Sequence, residues 1–293
     1  MKKALIFILV ISTLAACAEQ PGLMTAPVSS PAQTAEPPSQ IDTTVPSITG
    51  EPVLESPPAV SAGSPTQELD EAPVEPLPAA PDAPQEIQIE VSDGLSISGT
   101  FHPASGEPPW PGLLLMHMLS GNRGQWDGLV PALNSGGYAV LAIDLRGHGA
   151  TGGEMDWGKA RDDILQVLDY FSNLPYINPE RVALVGASIG ANLSLVSAAN
   201  RPGIAAVALL SPGLDYRGVT TPDSLAAYGE RPLFLAASEE DGYAADSTRS
   251  LAENASGEVE LMVFDGAGHG TQMLEGEPGL AAALINWLDR FLK

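Results

Sequence analysis

The sequence predicts an α/β domain, a three-layer α/β/α sandwich around a mostly parallel sheet of about eight strands. Two observations point there. From residue 85 onward the chain opens with two alternating apolar–polar runs joined by Asp93-Gly94, which is a hairpin signal. Six short, continuously apolar runs follow, each of a length suited to a strand buried on both faces, with helix-periodic segments between them. Antiparallel entry followed by repeated strand–helix units gives this layered architecture.

Taken in order, the hairpin strands are 86–92 and 95–102. The apolar runs are 112–117, 138–144, 181–186, 204–210, 232–237 and 259–264. Between them, 159–173 sets Ile164, Val167, Leu168 and Phe171 at helical spacing, and 192–200, 244–254 and 280–292 read the same way. Residues 85–293 number 209, enough for one well-filled core. In such sheets ligands bind at the carboxyl ends of the strands, so chemistry is expected there.

The N-terminus belongs to none of this. Residues 1–16 run from Met-Lys-Lys through an apolar stretch that is shorter than the roughly 20 residues of a membrane-spanning helix. It ends in Leu14-Ala15-Ala16-Cys17, which resembles the lipobox of bacterial lipoproteins. That resemblance implies a signal peptide over 1–16, lipidation of the Cys17 thiol and membrane attachment through the lipid. With Ala18 next, it implies the outer membrane in a Gram-negative cell, and otherwise the outer face of the plasma membrane. Residues 21–84 hold 15 prolines and nine acidic residues, with no Lys, Arg or aromatic residue. Such a composition cannot bury enough apolar surface to offset its ordering entropy. Residues 17–84 therefore read as an acidic, Pro-rich disordered stalk, and 85–293 as the folded domain.

Composition excludes several classes. Thirteen basic residues against 36 acidic ones, a net charge of −23, leave no footprint for nucleic acid. A single cysteine excludes an intramolecular disulfide and a cysteine-rich zinc site, and the four histidines show no ligand spacing. No dinucleotide fingerprint or phosphate loop occurs, so no cofactor is implied.

The strand ending at Val185 runs into Gly186-Ala187-Ser188-Ile189-Gly190 and then a helix, the G-x-S-x-G nucleophile elbow in its strand–turn–helix setting. Its glycines fit a turn so sharp that little room remains for Cβ atoms. A serine nucleophile needs a base, and His269, between Gly268 and Gly270 after the last strand, fits a loop over the sheet edge. The acid should follow a strand and precede His269. Asp241 is the first choice and Asp215 the competitor, both satisfying the order Ser, acid, His. Glu239, Glu240 and Asp246 read as solvated charges. One oxyanion donor is the Ile189 N–H, and the second should come from the loop after the third strand, 117–123.

With the elbow, the Asp144-Leu-Arg-Gly-His-Gly149 segment and the terminal Gly-His, the chain resembles the α/β-hydrolase fold superfamily over 86–293. The likeness is to its cap-less esterases and dienelactone-hydrolase-like members. By alignment with the family motif it implies Leu119 N–H as the second donor, with Met118 next; His117-Met118, where the family often has His-Gly, is a departure from that motif. It also implies that 144–149 is structural. Only about 20 residues, 212–231, separate the sixth strand from the seventh, too few for a sizeable cap, so 151–158 with Met155 and Trp157 is expected to wall the pocket. The expected activity is that of an anchored serine carboxylesterase acting on a small-molecule ester. A prolyl-oligopeptidase-like peptidase and a non-catalytic anchored binding protein are the alternatives.

Overall fold

The computed structural model describes residues 79–293. Cys17, the signal peptide and the stalk as far as residue 78 lie outside the described residues. Residues 79–84 form no regular element, yet Ala80 already packs against the core, so ordered packing begins a few residues before the expected start at 85.

Ten strands and seven α-helices follow in chain order among the described residues. The strands are β1 (Gln85–Glu90), β2 (Ser96–His102), β3 (Trp110–Met116), β4 (Ala139–Ile143), β5 (Ile177–Ala187), β6 (Ala206–Leu210), β7 (Asp215–Tyr216), β8 (Val219–Thr220), β9 (Leu233–Ser238) and β10 (Val259–Phe264). The helices are α1 (Val130–Ser135), α2 (Trp157–Ser172), α3 (Ile189–Ala199), α4 (Pro222–Tyr228), α5 (Gly242–Asn254), α6 (Met273–Gly276) and α7 (Pro278–Leu292). Eight strands make the main sheet in the order β1-β2-β4-β3-β5-β6-β9-β10. β1 and β2 are antiparallel to each other, β2 is antiparallel to β4, and the remaining pairs are parallel.

The pleat sorts each apolar run between two cores. Leu114, Met116, Val182, Leu184, Val207 and Leu209 face one side, where Ile164, Val167, Leu168 and Phe171 of α2 and the apolar face of α3 cover them. Leu113, Leu115, Val185 and Leu210 face the other, with Leu133 of α1 and Leu280, Leu284, Trp287 and Leu288 of α7. Burial on both faces is why these strands carry no polar alternation. All eight expected strands are present, with shifted ends. β5 starts at Ile177 rather than Arg181 and β6 starts at Ala206 rather than Ile204. The sequence reading did not include α1, α4, α6 or the β7–β8 hairpin, all of them short.

Candidate active site

β5 delivers Ser188 to the carboxyl edge of the sheet between β3 and β6. The Ser188 backbone has φ 55° and ψ −121°, a conformation an L-residue holds only when its surroundings force it. The forcing contacts are visible. Ser188 N–H donates to Leu210 O at 2.8 Å on β6, while Ser188 O accepts from the Ala191 and Asn192 amides at the start of α3. The flanking glycines are there for space. A Cβ on Gly186 would lie 2.1 Å from Gly190 O, and one on Gly190 would lie 2.4 Å from Met116 O. Helix α3 can thus start hard against the end of β3. Among the described residues the Ile189 N–H has no protein acceptor, and it points from the first turn of an 11-residue helix.

The loop after β3 is braced by side chains that the sequence did not mark. His117 is fully buried, its Nδ1–H donating to Met118 O at 2.7 Å and its Nε2 accepting from Leu145 N–H at 3.0 Å. Two backbone partners of opposite type fix the neutral tautomer. Burial pushes the imidazole down to about 4 from its usual 6.5. Met118 N–H donates to Gln125 Oε1 at 3.1 Å, so it is taken, whereas the Leu119 N–H has no protein acceptor among the described residues. Of the two amides considered for the second donor, Leu119 is the one left open. Met118 fills the volume that a glycine would leave empty. A Cβ on Gly270 would sit 2.3 Å from Met118 Sδ, so a glycine in the second loop makes room for the methionine of the first.

β9 and β10 run parallel with Ser238 opposite Phe264, which sets the loops after them side by side. His269 Nδ1 and Asp241 Oδ2 form a hydrogen-bonded pair, with both side chains partly exposed at 36% and 23%. The carboxylate accepts a hydrogen bond from the Nδ1–H, which leaves Nε2 as the ring's acceptor. The His269 loop lies against the elbow: Gly270 N–H donates to Ser211 Oγ at 2.8 Å, and a Cβ there would be 3.3 Å from that of Ala187. Ser238 Oγ accepts from Ala267 N–H at 2.9 Å and donates to Glu240, whose carboxyl is held below the usual range by that hydroxyl. Ser238 is therefore the tie between the two loops; Glu240 is exposed, as the sequence suggested, but bonded to that serine, and Glu239 pairs with Arg249.

Asp215 goes elsewhere. It opens the β7–β8 hairpin, and its Oδ1 accepts from Gly218 N–H at 2.7 Å across the Arg217-Gly218 turn. The expected pocket wall also needs correcting. Trp157 packs on His148 at 5.8 Å and lines a cavity of about 300 Å³ with Arg161, Val196 and Arg217, whose lining does not include Ser188. The aromatic beside Ser188 is instead Tyr216 of the hairpin, half-buried, with the serine side chain among the groups near enough to act on its hydroxyl. Its ring lies edge-on to Tyr243 at 5.6 Å. Asp144 accepts from Arg123 N–H and Ala150 N–H, each at 2.7 Å, and pairs with the Arg123 guanidinium, which occupies it in closing its own turn. No group of three or more His, Cys, Asp or Glu able to hold a metal occurs among the described residues, and no helix there is long and apolar enough to cross a membrane.

Sheet order, the left-handed serine at a strand-to-helix turn and the loops after β9 and β10 define the α/β-hydrolase fold. A family model described as alpha/beta hydrolase fold matches residues 111–226. The chain is similar to an uncharacterized protein of Mycobacterium tuberculosis, 29% identical over 140 residues, 47% of this chain and 50% of that one. It is also similar to the esterase FrsA of Yersinia pestis, 31% identical over 134 residues, 44% of this chain and 32% of FrsA. The chain thus spans half of the first relative's length and about a third of the second's. Among solved structures, a dienelactone hydrolase from Anabaena variabilis superposes with a TM-score of 0.60 at 19% identity, covering 72% of this chain and 99% of that one.

Proposed function

We propose that the protein is a serine hydrolase that cleaves small or medium carboxylic esters through an acyl-enzyme. In this reading Ser188 is the nucleophile, His269 the base and Asp241 the residue that orients it. One observation supports it: a serine sits in a forced left-handed turn at the head of α3, and the loop that carries the bonded Asp241–His269 pair packs against Ala187, the residue before that serine. The names of two similar proteins, an esterase and a dienelactone hydrolase, support the same class.

The chemistry follows from the atoms. As Ser188 Oγ bonds the ester carbon, its proton passes to His269 Nε2, and the carbonyl oxygen gains charge opposite the Ile189 and Leu119 amides. Collapse breaks the bond to the alkoxy group, which leaves with the proton from Nε2. Water then repeats the sequence on the acyl-enzyme. Asp241 stays ionised throughout, holding the Nδ1 proton and offsetting the imidazolium charge. No cofactor is called on. We further propose attachment to the cell envelope through a lipid on Cys17, in the outer membrane of a Gram-negative cell or on the outer face of the plasma membrane otherwise. That part rests on the Leu14–Cys17 sequence.

A fluorophosphonate probe, with p-nitrophenyl esters of graded acyl length beside aminoacyl-anilides, tests the reading. Labelling and ester turnover that vanish in Ser188→Ala are expected. An unlabelled, folded wild type would leave a binding scaffold on this fold, and preference for the anilides would make it a peptidase.

A further inference from the structure

Tyr216 is a polar side chain beside Ser188 that this mechanism leaves unused. Its position is built with some care. The two turn residues of the hairpin, Arg217 and Gly218, both have positive φ, 58° and 82°, the geometry of a tight two-residue hairpin turn. Asn192, one helical turn beyond Ser188, clamps the hairpin with both ends of its buried amide: Nδ2–H donates to Val219 O at 2.7 Å and Oδ1 accepts from Gly213 N–H at 2.9 Å. From the other side the Tyr243 hydroxyl, two residues after Asp241, donates to Asp215 O and accepts from Asp215 N–H, each at 2.9 Å. The nucleophile's helix and the acid's helix therefore both hold the hairpin that carries Tyr216.

That placement gives the phenol a definite side of the reacting centre. The amides facing the developing oxyanion come from the loop after β3 and the head of α3. Tyr216 comes from the loop after β6, on the opposite flank of β5. It lies beside Ser188, and close enough to Asp241 to feel its charge. The leaving alkoxy oxygen must also lie toward the Asp241–His269 pair, because it takes its proton from His269 Nε2. Burial, with the Asp241 charge adding to it, raises the phenol's pKa, so the hydroxyl keeps its proton over the working range and can donate.

We propose that Tyr216 contacts substrate directly, its hydroxyl donating a hydrogen bond to the alkoxy oxygen of the ester as the acyl-enzyme forms. The proposal rests on the serine-hydrolase reading above. Proton bookkeeping is unchanged by it. The Ser188 Oγ–carbon bond forms, the carbon–alkoxy bond breaks, the alkoxy group leaves with the proton that His269 took from Ser188, and Tyr216 retains its own. The hydrogen bond matters most when the alcohol is a poor leaving group. A p-nitrophenoxide departs without such help, whereas an ethoxide does not.

The experiment compares kcat/KM, which reads acylation, for p-nitrophenyl butyrate and ethyl butyrate with the full chain, Tyr216→Phe and Ser188→Ala. Loss of one hydrogen bond at the leaving oxygen should lower the ethyl ester about tenfold in Tyr216→Phe and the p-nitrophenyl ester by less than about twofold, with unchanged melting. Equal losses on both esters would make Tyr216 a structural wall and overturn the proposal, as would no loss on either. A wild type that cleaves only the p-nitrophenyl ester would overturn it too. If wild type and Ser188→Ala cannot be told apart on both esters, the hydrolase reading itself falls, and this proposal with it.

Discussion

Acidification should destabilise this protein through His117, well before its carboxylates protonate. The ring is fully buried, and its two nitrogens are committed to one acceptor and one donor, Met118 O and Leu145 N–H. Protonating Nε2 would face a proton toward the Leu145 N–H and put a charge in the core, so the folded form resists it down to about pH 4. The unfolded chain accepts the same proton near 6.5. Stability from the neutral ring is complete above the unfolded value and declines as pH falls from 6.5 to about 4, by about 1.4 kcal/mol per pH unit. Between about pH 7.5 and about pH 4.5 the difference is about 2 to 3 kcal/mol. His102, half-buried and also shifted down by burial, adds in the same direction, so the wild-type slope alone does not isolate His117. Urea melts of wild type and His117→Gln across this range do isolate it. The substitution has its own cost, from refitting the bond to Leu145, but that offset is independent of pH and cancels in the slopes. The wild-type curve should fall toward the variant's as the pH drops. Parallel slopes would mean that the imidazole is not a buried neutral strut, and the account of the loop after β3 would fail with it.

Three further outcomes are expected. Asp241→Asn should lower kcat by roughly 10⁴-fold through loss of the Nδ1 partner, while Asp215→Asn, which only loosens a hairpin turn, should stay within about tenfold. A large loss in the second variant with the first near wild type, both folded, would reverse the assignment. Gly190→Ala should cost about 3 kcal/mol or more, because its Cβ would meet the Met116 and His117 carbonyls, and Gly203→Ala, with nothing within 4 Å, should be neutral. Equal melting temperatures for these two would refute the packing argument. Cys17→Ser should abolish metabolic labelling by a palmitate analogue, and unchanged labelling would remove the lipid anchor.

Much of the fold was legible because burial on both faces leaves a plain mark. Runs such as Leu113–Met116 and Val182–Val185 contain no polar residue, since both sides of the sheet are covered. Short elements left weaker marks. Helix α4 did carry signals, with Pro222 in its first turn and the buried Leu225 and Tyr228 three residues apart, but seven residues give too little periodicity to stand out from a loop. The β7–β8 hairpin turns on Arg-Gly, whereas the strong sequence signal for such a turn is Asn-Gly or Asp-Gly.

The acid shows where sequence order stops and geometry takes over. Asp215 and Asp241 both follow a strand, both precede His269, and each sits four or five residues past an apolar run. Register separates them. Ser238 and Phe264 are paired ends of adjacent parallel strands, so three residues beyond one and five beyond the other bring Asp241 and His269 into reach without spanning another strand. Asp215 emerges from β6, one strand further from β10, and its carboxylate is drawn back onto Gly218 by the hairpin it opens. A carboxylate already bonded to its own turn would have to give up that bond to reach an imidazole, which Asp241 need not do. Strand adjacency, which no linear spacing encodes, is therefore the physical reason to assign the orienting role to Asp241, and the paired asparagine variants test that reason directly.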